Sequence, residues 1–373
     1  MHKLLCTILM LSCIVSVQSQ TGDRPQTPHP PYPYQSDSLV YQPEGDSSRY
    51  GITVTKPSTG GPFASFLLIT GSGPQDRDET ILRHKPFAVL ADFLTRQGYL
   101  VMRVDDRGVG QSNGNFAGAT SFDFASDVQK QLAFLRSLPQ VDKKRIGLIG
   151  HSEGGMIAPI VASRDKQIAY MILLAGPGVP IGQLMGEQNQ AVLQSAGVDS
   201  LAALSYGKFF AATMPAVAAA PTRDSAARIL SEQLNTWRQA EHPNRVFATT
   251  AIRNDSGAVI YQQRVLQQIY SPWFRTFLGY DPELYLEMVT CKVLALNGAR
   301  DIQVLPDSNL EGIRKALAGS SQTATIEKLP GLNHLFQTCK LCTVQEYGIL
   351  TETLSPVLLD RLADWLKKNA ATP

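Results

Sequence analysis

Ile146-Gly-Leu-Ile-Gly-His-Ser-Glu-Gly-Gly155 is an apolar run that breaks off in glycines with one serine set among them. Residues 145–149 read as a short buried strand, while Met156, Ile157, Ile160 and Val161 recur at helical spacing. Gly150-x-Ser152-x-Gly154 therefore lies in a strand-turn-helix context. So tight a turn forces Ser152 into a strained backbone conformation with its hydroxyl at a helix N-terminus, and the flanking glycines keep Cβ atoms out of the way. A glycine-rich loop with an incidental serine is the alternative, so the surrounding elements must carry the reading.

They alternate. Strands are expected at 50–55, 63–70 and 99–104, with helices at 86–97, where Pro86 opens and Gly98 follows the end, and at 121–138 before Pro139. After the serine turn a strand returns at 170–175. Such alternation implies an α/β fold whose mostly parallel sheet is flanked by helices, with functional loops at the carboxyl ends of the strands. Residues 181–280 change character: rich in Ala, Gln, Met and Leu, they read as a helical cap inserted into the core and lying over the active site. Strand signals resume at 292–296 and 325–329, with helices at 306–317 and 355–368. The core is thus expected over 43–180 and 281–373.

The chain has 373 residues, 43% of them hydrophobic, and a formal net charge of +2. That is long enough for one large domain with an insertion, and it offers no basic run as a footprint for nucleic acid. His2 and Lys3 precede an apolar run at 4–17, shorter than the roughly 20 residues of a membrane span. Val17-Gln18-Ser19 then suits cleavage of a secretory signal peptide (1–19), so export to the periplasm or beyond is expected. Lipid attachment at Cys13 is the weaker option, because Met10-Leu11-Ser12 fits a lipoprotein site poorly. Residues 20–42, with Pro28-His-Pro-Pro-Tyr-Pro-Tyr34, read as an extended proline-rich tail or linker. Three cysteines remain after cleavage, and Cys339-Lys-Leu-Cys342 either closes a small disulfide or stays as two thiols. No second pair accompanies them, so no metal site is assigned. Phosphate-binding and dinucleotide fingerprints are also missing from the sequence.

A serine hydroxyl needs a base, and the base needs a carboxylate to fix its tautomer. Of the six histidines, His2 and His29 lie outside the core, His151 adjoins the serine and His242 sits in the insertion. His84 and His334 remain, and His334 follows a late strand in the chain order serine, acid, histidine. Asp301, four residues past the apolar run at 293–296, is the acid, preferred to Asp307 and Glu327. An oxyanion hole would draw one backbone N–H from Glu153 and another from Gly71-Ser72-Gly73, with Ser72 preferred to Gly73. Asp105-Asp106-Arg107 is expected to pair internally and hold its own loop.

Gly71-Ser-Gly-Pro-Gln-Asp-Arg-Asp-Glu79, Asp105-Asp-Arg-Gly-Val-Gly110, Gly150-His-Ser-Glu-Gly-Gly155, Leu174-Ala-Gly-Pro-Gly178 and Gly331-Leu-Asn-His334 together resemble the α/β-hydrolase superfamily. Within it the chain looks like carboxylesterases that carry the long 71–79 motif, related to serine aminopeptidase-like hydrolases, over about residues 50–365. Thr70 departs from the pattern, since many such relatives have histidine there. The resemblance implies hydrolysis of a small-molecule ester through an acyl-enzyme, with neither metal nor organic cofactor. Short-chain ester hydrolysis is the leading expectation. A peptidase acting at peptide N-termini would need an anionic pocket, for which Glu187, Glu232 and Glu241 are the candidates. A non-catalytic binding protein on the same fold is disfavoured by retention of all three triad residue types.

Overall fold

The computed structural model describes residues 24–319 and 324–370, so the expected signal peptide and Cys13 lie outside the described residues. The described residues form two compact units, residues 179–281 and the rest of them.

The larger unit is built on an eight-stranded sheet of strands β1 (Tyr34–Tyr41), β2 (Tyr50–Pro57), β3 (Phe63–Ile69), β4 (Leu100–Val104), β5 (Val141–His151), β6 (Ile168–Leu174), β7 (Lys292–Gly298) and β8 (Ala324–Leu329). Their spatial order is β1-β2-β4-β3-β5-β6-β7-β8. β2 runs antiparallel to both β1 and β4, and every pairing from β4 to β8 is parallel. Parallel neighbours send their following loops to one edge, which gathers the segments after β3, β4, β5, β7 and β8.

Helices α1 (Pro86–Arg96), α2 (Ser121–Ser137) and α3 (Gly154–Arg164) lie between strands of the first half of the sheet. The start of α2 is fixed by a reciprocal cap in which Thr120 and Asp123 satisfy each other's backbone N–H. The central strands are buried on both faces, as their near-continuous apolar runs require. Phe66, Leu94, Tyr99, Tyr170, Leu362 and Trp365 belong to one packed cluster, with Phe66 edge-on to Tyr99 at 5.5 Å between ring centroids.

The smaller unit is entirely helical: α4 (Ile181–Ser195), α5 (Ser200–Ala219), α6 (Arg223–Ala240), α7 (Pro243–Thr250), α8 (Asp255–Ile269) and α9 (Pro272–Leu278). A Cβ on Gly186 would meet the Gly207 carbonyl and one on Gly207 the Gly186 carbonyl, so these glycines let α4 and α5 close on each other. Buried Tyr206 and Tyr261 share a 3.0 Å hydroxyl contact, and Phe209 stacks on Trp237. Both ends of the unit meet where the Ile181 N–H donates to the Tyr280 carbonyl at 3.1 Å. The chain then returns to the larger unit through α10 (Glu283–Leu286), with α11 (Pro306–Leu317) between β7 and β8 and α12 (Pro356–Asn369) near the end. Among the described residues no helix is long and apolar enough to cross a membrane.

The proline-rich stretch departs from its expectation as a tail. Tyr34–Tyr41 is the edge strand β1, paired residue for residue with β2, and most of its side chains face solvent. A strand wet on both faces has no apolar alternation, so its sequence carried no period-two signal. Further upstream, Arg24 is buried and donates to the carbonyls of Leu82, Gly348 and Leu350. Gln26 accepts the Thr353 and Leu354 N–H groups and donates to the Leu354 carbonyl.

Candidate active site

Ser152 stands at the end of β5 with φ at +53°, and its N–H donates to the Leu174 carbonyl of neighbouring β6. Non-glycine residues rarely hold such a conformation, and the surroundings show what enforces it. A Cβ on Gly150 would strike the Gly154 carbonyl, and one on Gly154 would strike the Ile69 carbonyl. Strand, turn and α3 are therefore in backbone contact, and only glycine fits at both positions.

His334 lies in the loop after β8. Asn333, fully buried, shapes that loop by accepting the Leu335 and Gln337 N–H groups on its Oδ1. A bridge between Leu332 and Thr338 narrows its base, and a Cys339–Cys342 disulfide follows directly. His334 Nε2 is 3.1 Å from Ser152 Oγ, and Nδ1 is 2.8 Å from Asp301 Oδ2. Asp301 follows β7, its side chain wholly buried. Its other oxygen accepts the N–H groups of Gln303 and Val304 at 2.7 and 3.0 Å. Ser152, His334 and Asp301 thus meet in one hydrogen-bonded line contributed by three different strand ends.

The 71–79 loop follows β3 and turns through Gly73 at φ +97°. Its Gly71 N–H donates to Glu79 Oε1 at 2.7 Å, so the next N–H in line is that of Ser72. Glu153 is the N-cap residue of α3, which puts its N–H at the positive end of the helix dipole. Its side chain turns into the protein, where the Ser121 hydroxyl donates to it at 2.6 Å.

The loop after β4 departs from the expected internal pairing. Asp105 instead takes Arg77 through two side-chain contacts of 3.0 and 2.6 Å and accepts the Gln111 N–H. Arg107 pairs with Asp127 of α2. Asp106 accepts the Thr70 hydroxyl at 2.7 Å and the Gln75 N–H at 2.9 Å. Adjacent side chains diverge from a turn, whereas parallel pairing of β3 and β4 brings their loops side by side, so Arg77 reaches Asp105 and Thr70 and Gln75 reach Asp106 from across that boundary. Thr70, the departure noted in the sequence, is thereby an anchor for Asp106. Burial pushes the Asp106 carboxyl up to about 8; the bonds from Thr70 and Gln75 oppose this, and the nearby charges of Glu153 and Glu79 add to it.

His84, the rejected alternative base, is buried 2.9 Å from Thr353 Oγ1 and 3.0 Å from the Tyr347 carbonyl. Burial and the charge of Arg24 push its imidazole down to about 4, which marks it as a packed neutral ring. His151, set aside in the sequence as a mere neighbour of the serine, is also buried, between Glu79 and the His334 carbonyl. Nothing in its sequence position signals this, because Glu79 is 72 residues away. Cys339, Cys342 and Glu346 cluster as well, but the thiols are joined and the Glu346 carboxylate accepts the N–H groups of Lys340, Leu341 and Cys342. Glu241, one of the carboxylates considered for an amine pocket, is engaged by Arg245 and the His242 N–H within the helical unit.

Comparison with known proteins bears on the fold and the kind of protein. A family model described as serine aminopeptidase, S33 (Hydrolase_4) matches residues 84–250. Esterase EstD of Thermotoga maritima is 31% identical over 147 residues, 39% of this chain, and the match spans only 35% of EstD. Among solved structures, the α/β hydrolase GrgF from Penicillium sp. sh18 is similar with a TM-score of 0.53 at 16% identity, covering 91% of this chain and all of that one. An esterase of Pyrococcus furiosus has a TM-score of 0.50 at 14% identity, covering 91% of this chain and 92% of its own. The two structural likenesses show the fold, which is that of the α/β hydrolases.

Proposed function

We propose that this chain, a carboxylesterase-like α/β hydrolase, is a serine esterase that cleaves short-chain acyl esters through an acyl-enzyme. The observation that carries the reading is the line from Ser152 Oγ through His334 to the wholly buried Asp301. Ser152 Oγ attacks the ester carbonyl while His334 Nε2 takes its proton. Asp301 holds the Nδ1–H and balances the charge that forms on the ring. The N–H groups of Ser72 and Glu153 receive the developing oxyanion, and removing one such donor typically costs about 2.7 to 4 kcal/mol of barrier. His334 then returns the proton to the departing alcohol, and water, activated by the same base, releases the acid.

The test is turnover of p-nitrophenyl esters of increasing chain length by the purified protein, beside Ser152→Ala and aminoacyl p-nitroanilides. Serine-dependent turnover with a short-chain optimum is expected. The family model named for serine aminopeptidases supports a second reading, and turnover of anilides above esters would establish it in place of the first. Labelling of Ser152 by a fluorophosphonate separates both from a non-catalytic hydrolase fold. Export belongs to the proposal too: the mature chain should begin after Ser19 in protein recovered outside the cytoplasm.

A further inference from the structure

Beside the Ser152 line lies a second buried pair of acid and imidazole that the esterase chemistry does not use. His151 Nδ1 is 2.9 Å from Glu79 Oε1, and Nε2 is 3.1 Å from the backbone carbonyl oxygen of His334. A carbonyl can only accept, so Nε2 carries a hydrogen. Glu79 Oε1 already accepts the Gly71 N–H at 2.7 Å, and as a carboxylate oxygen it accepts from Nδ1 as well. With Glu79 ionised, both ring nitrogens are donors in this arrangement. Such a ring is an imidazolium, and a buried one needs the adjacent carboxylate to exist.

The three bonds join the three segments on which the proposed reaction depends. Gly71 begins the oxyanion loop, His151 precedes Ser152, and the bonded carbonyl is that of His334 itself. Packing there is close: a Cβ on Gly71 would lie 3.1 Å from Glu79 Oε1, 3.3 Å from Ser152 Cβ and 3.5 Å from His151 Nδ1. The rings of His151 and His334 are 5.0 Å apart between centroids. Glu79 holds φ at +53°, a strained conformation for a glutamate, and is 4% exposed. Strain kept at a buried polar residue is consistent with a task that fixes where its carboxylate points.

We propose that Glu79 and His151 are positioning residues for the reaction: a permanently paired carboxylate and imidazolium that hold the oxyanion loop, the serine turn and the His334 backbone in register. The inference rests on the esterase reading for its functional part. Burial works against the charge on His151, but the charge and hydrogen bond of Glu79, the His334 carbonyl and the charge of Asp301 outweigh it and hold its proton above the ordinary imidazole range. Replacing Glu79 by glutamine keeps size and shape and removes the charge. His151 then sheds a proton, and the amide atom at the Oε1 position can either accept the Gly71 N–H or donate to His151 Nδ1, so one of the three bonds is lost.

The experiment is nitrogen NMR of the full chain labelled with 15N-histidine, with His151→Gln to assign the signal, beside kcat and KM on the best p-nitrophenyl ester. His151 in the wild type is expected to carry hydrogen on both nitrogens at pH 7. Glu79→Gln should make it singly protonated and lower kcat on the order of 10²-fold, the scale of a small misplacement of reacting groups, with KM little changed. Glu79→Asp, which keeps the carboxylate, should lie between the two on both readouts. A singly protonated His151 in the wild type overturns the proposal, and this measurement stands even if Glu79→Gln fails to fold. A folded Glu79→Gln with wild-type kcat overturns it too. Failure of Ser152 to react with fluorophosphonate in the wild type would instead overturn the esterase reading and leave the nitrogen spectrum to judge the pair.

Discussion

Asp301→Asn would change one atom, and the structure dictates which way the new amide must face. Asp301 Oδ1 accepts two backbone N–H groups, from Gln303 and Val304, and only the amide oxygen can replace it there. The NH2 group is then forced toward His334 Nδ1, 2.8 Å away in the native pair. Nδ1 must become an acceptor, which moves the ring hydrogen to Nε2 and points a donor at Ser152 Oγ where a base is required. The hydrogen-bond count is preserved, so the fold and melting temperature should barely change, whereas kcat should fall about 10⁴-fold. At 1.36 kcal/mol per factor of ten, that is about 5.4 kcal/mol of barrier. Initial rates on a p-nitrophenyl ester, measured beside circular dichroism and thermal melting, supply both halves of the test. A folded Asp301→Asn enzyme within about tenfold of the native kcat would refute the tautomer argument and, with it, the role assigned to Asp301.

Gly154→Ala should be expensive, because its new methyl meets the immobile Ile69 carbonyl; a loss on the order of 1 to 3 kcal/mol is expected in denaturant titration, together with reduced phosphonate labelling of Ser152. Asp106 governs a pH effect: its folded pKa, about 8, lies above the unfolded value, so the folded state holds a proton that the unfolded chain has released. Its contribution is fully present below the unfolded pKa near 4 and is lost as pH rises through about 8. In Asp106→Asn the amide can donate to Thr70 and still accept from Gln75, so this decline in stability should flatten in urea titrations across that range. His84 acts with the opposite sign: depressed to about 4, it costs stability as pH falls from about 6.5 to 4, and His84→Gln should remove that part of the acid sensitivity in the same titrations.

How much of this was legible in the sequence follows from how local each signal is. The strands with mostly apolar runs, such as Phe63–Ile69 and Lys292–Gly298, and helices bounded by Pro86 or Pro306 announce themselves within a few residues. Ser152 was legible because its constraint is a steric one, paid in glycines two positions away. Asp301 and His334 could be reached because each follows a strand and the chemistry admits few residue types. Glu79 and His151 were not, since what makes them matter is a contact across 72 positions, and a glutamate in a charged loop looks like any other. The same holds for Arg77 with Asp105, where the partner is set by the lateral order of β3 and β4 and not by proximity along the chain. β1 escaped notice because backbone pairing alone makes it a strand.

The helical insertion has a consequence in time as well as in space. β6 is synthesised before it and β7 after it, so about a hundred residues of helix emerge from the ribosome while one side of β6 waits for its partner. At 5 to 20 residues per second the wait is on the order of 5 to 20 s. Throughout that interval the apolar Ile168–Leu174 edge stands open to other nascent chains, and the residues that complete the Ser152 line have not yet been made. The insertion, whose ends meet at Ile181 and Tyr280, is a compact unit that separates the two strands along the chain. For a chain exported unfolded, as proposed above, the same order of emergence holds at the translocation channel, so slow passage lengthens the aggregation-prone stage until residue 292 appears.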